Sequence, residues 1–199
     1  MKTSIQWVAF GLVVTFLVAA IFFIQLKNGE DNEILGITAL EGKNIAKNIA
    51  HEVDENATLV YVIANEPISE NGRCLSWRYT FSNLTQLNSP NTYKAIKITL
   101  FWNETYFVRF NATSPVENQP ISDWNIDSDE AYTIALNNKE IKAFMAHDPG
   151  VYVFSLSNSS GTPTWYIDFT YDAGFDNPKW AEIRIDANTG EVLYVEVDD

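Results

Sequence analysis

Trp77, Tyr79 and Phe81 alternate with Arg78 and Thr80, and Trp165, Ile167 and Phe169 alternate with Tyr166 and Asp168. Side chains two apart in a strand share a face, so each run predicts a strand with one apolar side. The same period places Ile183 and Ile185 on one face, and Leu193, Val195 and Val197 on one face beyond a turn. Helical spacing precedes each strand group. Thr38-Ala-Leu-Glu41 has the form of a capping box, and Ile45, Ala46, Ile49, Ala50 and Val53 then follow along one helical face. Asp127-Ser-Asp-Glu130 opens a second helix with Ala131, Ile134 and Ala135 inward, and a shorter helical turn is expected over Lys139 to Ala146.

These segments recur in one order. Ile96, Ile98, Glu104 and Val108 align without a gap on Ile183, Ile185, Glu191 and Val195. Upstream, Trp77 to Phe81 matches Trp165 to Phe169, Val60-Tyr-Val62 matches Val151-Tyr-Val153, and Ala50-His51 matches Ala146-His147. Matches in a fixed order predict an internal repeat. The expected fold class is therefore α+β: an N-terminal transmembrane helix, then two repeated units, each a helix packed on an antiparallel sheet of three or more strands. The expected boundaries are a cytoplasmic tail at 1–6, the transmembrane helix at 7–26, a first unit at 28–117 and a second at 118–199.

The membrane expectation rests on Trp7 to Ile24, 18 residues without a charge. As a helix this run spans roughly 27 Å, close to a hydrocarbon core. Apolar residues continue past Ala19-Ala20, which favours an uncleaved anchor over a signal peptide. Lys2 and the α-amine favour a cytoplasmic N-terminus and Lys27 opposes it, so the expected location of the bulk of the chain is extracytoplasmic, on a single-pass membrane protein.

Composition narrows the partners. A net charge of −13 argues against nucleic acid, whose phosphates need basic patches. A single cysteine, Cys74, excludes an internal disulfide and a cysteine-based zinc site, and a small buried hydrophobe at a strand start is its expected role. Asn-x-Ser/Thr occurs at Asn56, Asn83, Asn103, Asn111 and Asn158, all in or beside expected loops, and these are the candidate glycosylation acceptors.

One stretch, IRIDANTGEVLYVEV at 183–197, has the look of a calcium loop. Counted from Asp186, position five is Gly190, position six is Glu191 and position twelve is Val197, so the loop's ligand pattern fails. The expectation is a hairpin turn, with Asn103 and Gly190 as the residues that tolerate positive φ. His51-Glu52-x-Asp54 and His147-Asp148 sit at the ends of expected helices, where the dipole favours histidine. G-x-S-x-G, H-E-x-x-H and phosphate-binding glycine loops do not occur. Trp77, Trp102, Trp124, Trp165 and Trp180 are expected mostly in the core. No catalytic, cofactor-binding or metal-binding residue is assigned.

The helix SDEAYTIALNN, the W-x-I-x-F strand and the closing AEIRIDANTGEVLYVEV hairpin resemble the PepSY domain family over about residues 121–199. The first unit fits only through its likeness to the second, with Thr99-Leu-Phe-Trp-Asn103 where Asp186-Ala-Asn-Thr-Gly190 stands later. PepSY domains occur in propeptides of secreted metallopeptidases and in membrane or secreted proteins, and a peptidase-regulating role has been proposed for them. The layout also resembles envelope proteins with tandem cystatin-like domains. The resemblance implies a membrane-anchored extracytoplasmic binding or regulatory protein, not an enzyme, that modulates a peptidase or other envelope protein. The alternatives are a structural surface glycoprotein, or an enzyme with carboxylates in the cleft between units.

Overall fold

The computed structural model describes residues 36–65, 68–69, 71–115, 119–158, 161–172 and 178–198; the expected tail at 1–6 and anchor at 7–26 lie outside them. The elements run α1 (Ala39–Val53), β1 (Thr58–Ala64), β2 (Ser76–Ser89), β3 (Thr92–Phe101), β4 (Tyr106–Pro115), α2 (Ser128–Asn137) and α3 (Lys139–Phe144). A 3-10 turn (Met145–His147) then leads to β5 (Gly150–Ser157), β6 (Thr164–Asp172), β7 (Pro178–Asp186) and β8 (Val192–Asp198).

Among the described residues, eight strands form one antiparallel sheet in the order β4-β3-β2-β1-β5-β6-β7-β8. This corrects the expected fold class. The sequence predicts two units, each with its own sheet, whereas β1 and β5 pair directly through Tyr61–Ser157, Val62–Leu156 and Ile63–Ser155. The core is continuous across that seam: the Trp77 ring lies 5.6 Å from Phe154 and 6.1 Å from Trp165, edge-on to both. The physical reason is that two four-stranded sheets would each leave an unpaired inner edge, and joining β1 to β5 pairs the central part of both. Among the described residues no helix is long and apolar enough to cross a membrane.

One face of the sheet is oily. Trp77, Tyr79, Ile98, Phe154, Trp165, Ile167 and Ile183 are fully buried on it. Helix α1 crosses β2 and β3, while α2 and α3 cover β6, β7 and β8. Indole hydrogen bonds tie each tryptophan strand to the residue just before a helix cap. Trp77 Nε1 donates to the Ile37 carbonyl (2.9 Å), and Trp165 Nε1 to that of Ile126 (2.7 Å).

The helix starts are interlocked. The Thr38–Glu41 capping box forms, with Thr38 Oγ1 accepting from Glu41 N and Glu41 Oε2 accepting from Thr38 N. Asp127, the N-cap of α2, reaches across: its Oδ1 accepts from Ser128 N (2.7 Å) and from Leu40 N of α1 (2.9 Å). Ser128 Oγ accepts from Ala39 N at 3.2 Å. Residues of α2 thus satisfy first-turn amides of α1 that would otherwise lack partners.

Candidate functional site

The 183–197 stretch is a turn. Asp186 N donates to the Glu191 carbonyl and Gly190 N to that of Asp186, both at 2.9 Å. The Asp186 carboxylate accepts from Asn188 N (2.7 Å) and Thr189 N (3.1 Å), so it is engaged by the amides of its own loop. Gly190 has φ 75°, the left-handed conformation the turn requires. Among the described residues, no group of three or more His, Cys, Asp or Glu is placed to hold a metal ion.

The β3–β4 turn differs from expectation. Its positive φ, 63°, falls on Glu104 and not on Asn103. Asn103 instead accepts from Thr105 N (3.2 Å) and Thr105 Oγ1 (2.6 Å) through its side-chain oxygen. The strand register departs from expectation as well. Trp77 lies opposite Leu100, and Trp165 lies opposite Ile185, so Leu100 and Ile185 hold matching places. The gap-free alignment paired Ile98 with Ile185 and was out by two residues. A slip of two keeps every side chain on its face, so hydrophobic pattern alone does not detect it.

Other singled-out residues are dispersed. His51 Nε2 lies 3.2 Å from the Ala57 carbonyl, while His147 stacks on Tyr171 at 4.9 Å. Cys74 is buried, with Sγ 3.0 Å from the Ser76 carbonyl. Trp77, Trp124 and Trp165 are buried, while Trp102 and Trp180 are exposed. Asn56 and Asn103 are exposed, and Asn111 lies in β4. Asn83 and Asn158 are buried, and their amide nitrogens donate to Asp54 Oδ2 (2.8 Å) and the Pro120 carbonyl (2.7 Å).

The feature not foreseen from sequence is the exposure of aromatics on the edge strand β4. This strand exposes Tyr106, Phe107 and Phe110, and its hairpin adds Phe101 and Trp102. Phe107 is 65% exposed, so most of the favourable free energy of burying its ring is left unrealised in the folded chain. Neighbouring aromatics left in water mark an interaction surface. The signal lay in Phe101-Trp102 and Tyr106-Phe107, where aromatics adjoin along the strand and so cannot all face one core.

The helix-free face is electrically divided. Near β4, Lys97 pairs across strands with Arg109, and burial, then Arg78 and Arg109, pull its ammonium below the usual lysine range. Near β8, Asp168, Glu182 and Glu196 stand opposite one another on β6, β7 and β8. Burial, then Glu182, pushes the Asp168 carboxyl upward, while the Arg184 guanidinium opposes the rise. Arg184 pairs with Glu182 and lies over the rings of Tyr166 (5.2 Å) and Tyr194 (4.7 Å). A partner meeting this face meets a basic aromatic edge and an acidic one.

No curated protein sequence matches the chain. A crystal structure of a candidate lipoprotein from Clostridium difficile 630 is similar over 78% of this chain and 92% of its own, at 18% identity and a TM-score of 0.48. Residues 125–196, from the approach to α2 through β8, match the PepSY family model, described as peptidase propeptide and YPEB domain.

Proposed function

We propose that this chain is an extracytoplasmic binding and regulatory protein that modulates a peptidase or another envelope protein by direct contact. The family match over residues 125–196 carries the reading. The β4 aromatics support it, because tyrosine, phenylalanine and tryptophan concentrate binding energy where they are buried by a partner. The uncharged run at 7–26, outside the described residues, is the part that would hold the chain at the envelope.

The test uses the full chain as bait on envelope extract of its source cell, with peptidase activity of the captured protein measured with and without added chain. The expected result is co-precipitation of an envelope protein and a severalfold change in its activity. Phe107→Ser should weaken capture by about tenfold, the effect of losing one interfacial anchor. No captured protein, or capture without any change in activity, would sink the regulatory reading.

The sequons bear on the glycoprotein alternative. We propose that Asn56 and Asn103 are able to carry a glycan and that Asn83 and Asn158 are not, because the latter two amides are buried and already donating. After expression in a glycosylating host, peptide mass spectrometry should find Asn83 and Asn158 bare. A glycan on either in the folded protein would contradict the burial argument.

A further inference from the structure

The sheet forks on both sides of the three-pair seam between β1 and β5. The chain fills one fork itself. Residues 119–121 enter between the strands: Gln119 N donates to the Asn158 carbonyl just after β5, and Ile121 N to that of Leu59 on β1, both at 2.8 Å. The Ile121 side chain is 2% exposed, in a cleft shared with Ala57, Leu59 and Phe81. This fork therefore accepts an extended segment bearing one branched apolar side chain.

The second fork presents the same edge. Leu59 lies opposite Phe81, with a bulge before Tyr61; Val151 lies opposite Phe169, with a bulge before Val153. The Leu59 carbonyl points away from β2 into its fork. Val151 stands at the same step before the same kind of bulge, so by this correspondence its carbonyl is expected to point away from β6 into the second fork. Among the described residues β1 pairs with β5 only at Ser155, Leu156 and Ser157, so no β1 residue pairs with Gly150–Phe154. Beside it opens a cleft of about 870 Å³, lined by Ile68, Tyr132, Leu136, Met145 and Phe154 and flanked by Tyr152 at 77% exposure. An open strand edge beside an apolar cleft is suited to binding by strand addition.

We propose that this second fork binds an extended peptide segment of a partner protein. The peptide main chain pairs with Gly150–Val153, and one branched or large apolar side chain enters the cleft beside Leu136, Met145 and Phe154. The occupant is argued from the first fork, where the same edge holds such a segment. The site is separate from the β4 surface and does not depend on the partner being a peptidase.

The probe is a fluorescein-labelled hexapeptide of the sequence of residues 119–124, Gln-Pro-Ile-Ser-Asp-Trp, titrated into the full chain and followed by anisotropy. Saturable binding is expected, with amide shifts centred on residues 150–153 by NMR. Met145→Glu should weaken it at least tenfold at unchanged melting temperature, a peptide with Asp in place of Ile should not bind, and Phe107→Ser should leave binding unchanged. Peptide binding that survives Met145→Glu, shifts centred on Leu59, or no saturation would overturn the proposal. A photo-cross-linker attached at Tyr152→Cys separates the occupants. Adducts with the probe support the proposal, and adducts with residues of the same chain before Gly36, or with a second copy, overturn it. Capture through β4 that persists in Met145→Glu keeps a failure here distinct from a failure of the regulatory reading.

Discussion

Trp165→Ala should lower the stability of the folded chain by about 3–5 kcal/mol, the range for removing a large buried aromatic. Trp165 is fully buried, 5.1 Å from the Phe154 ring and 6.1 Å from Trp77, at the point where the core crosses the β1–β5 seam. The cavity would open between the two parts of the sheet and not at a margin. A second variant divides the loss. Trp165→Phe keeps much of the packing but removes the Nε1 donor to the Ile126 carbonyl, and should cost about 1–2 kcal/mol for the hydrogen bond plus the smaller ring's void. Urea unfolding of wild type and both variants measures this. A loss under about 1 kcal/mol for Trp165→Ala would show that the seam repacks freely, contrary to a continuous close-packed core.

Asp127→Ala should cost about 2–3 kcal/mol, more than an ordinary N-cap, because one carboxylate serves two helices. Its loss leaves Leu40 N and Ser128 N without their side-chain acceptor. Asp127→Asn retains an oxygen for both amides and should be far milder. The pair also has a pH signature. Burial, the largest influence, raises the Asp127 carboxyl above 3.8, and hydrogen bonds from Thr38, Ser128 and Leu40 only partly oppose it. A folded pKa above the unfolded one means that the folded state holds the proton more tightly. The stabilisation from that proton is complete below the unfolded value and is lost as pH rises through the folded value. The stability difference between wild type and Asp127→Asn should therefore move against the wild type from pH 3 to pH 7. A difference that is flat, or that favours the wild type as pH rises, contradicts this.

What could be read from the chain was local. Thr38 and Glu41 are three residues apart and form the box that their spacing predicts. The inward faces of Trp77, Tyr79 and Phe81 follow from alternation. What could not be read was pairing at a distance. Nothing in Tyr61 or Ser157 announces that they meet, because period two assigns a face and not an edge partner. Asp127 reads as a cap for its own helix, and its bond to Leu40, 87 residues back, carries no sequence mark. Asn83 and Asn158 satisfy an acceptor pattern that depends on three letters, whereas burial decides whether the amide can be reached. The second fork was equally hidden, since its edge exists only because the seam stops at Ile63 and Ser155.

The brevity of that seam has a kinetic consequence. Its partners stand 94 to 96 positions apart in the case of Val62–Leu156 and Tyr61–Ser157, whereas β2–β3 and β6–β7 close across short connections. Nearby ladders form sooner, and a long chain closure rewarded by few pairs comes last. During synthesis at about 5–20 residues per second, β1 waits roughly 5–20 s for β5 to emerge, with its inner edge bare and Val60 and Val62 beside it. For the last third of that interval, once Pro120-Ile121 has been made, the chain's own segment is in place to shield the start of β1 from stray strands.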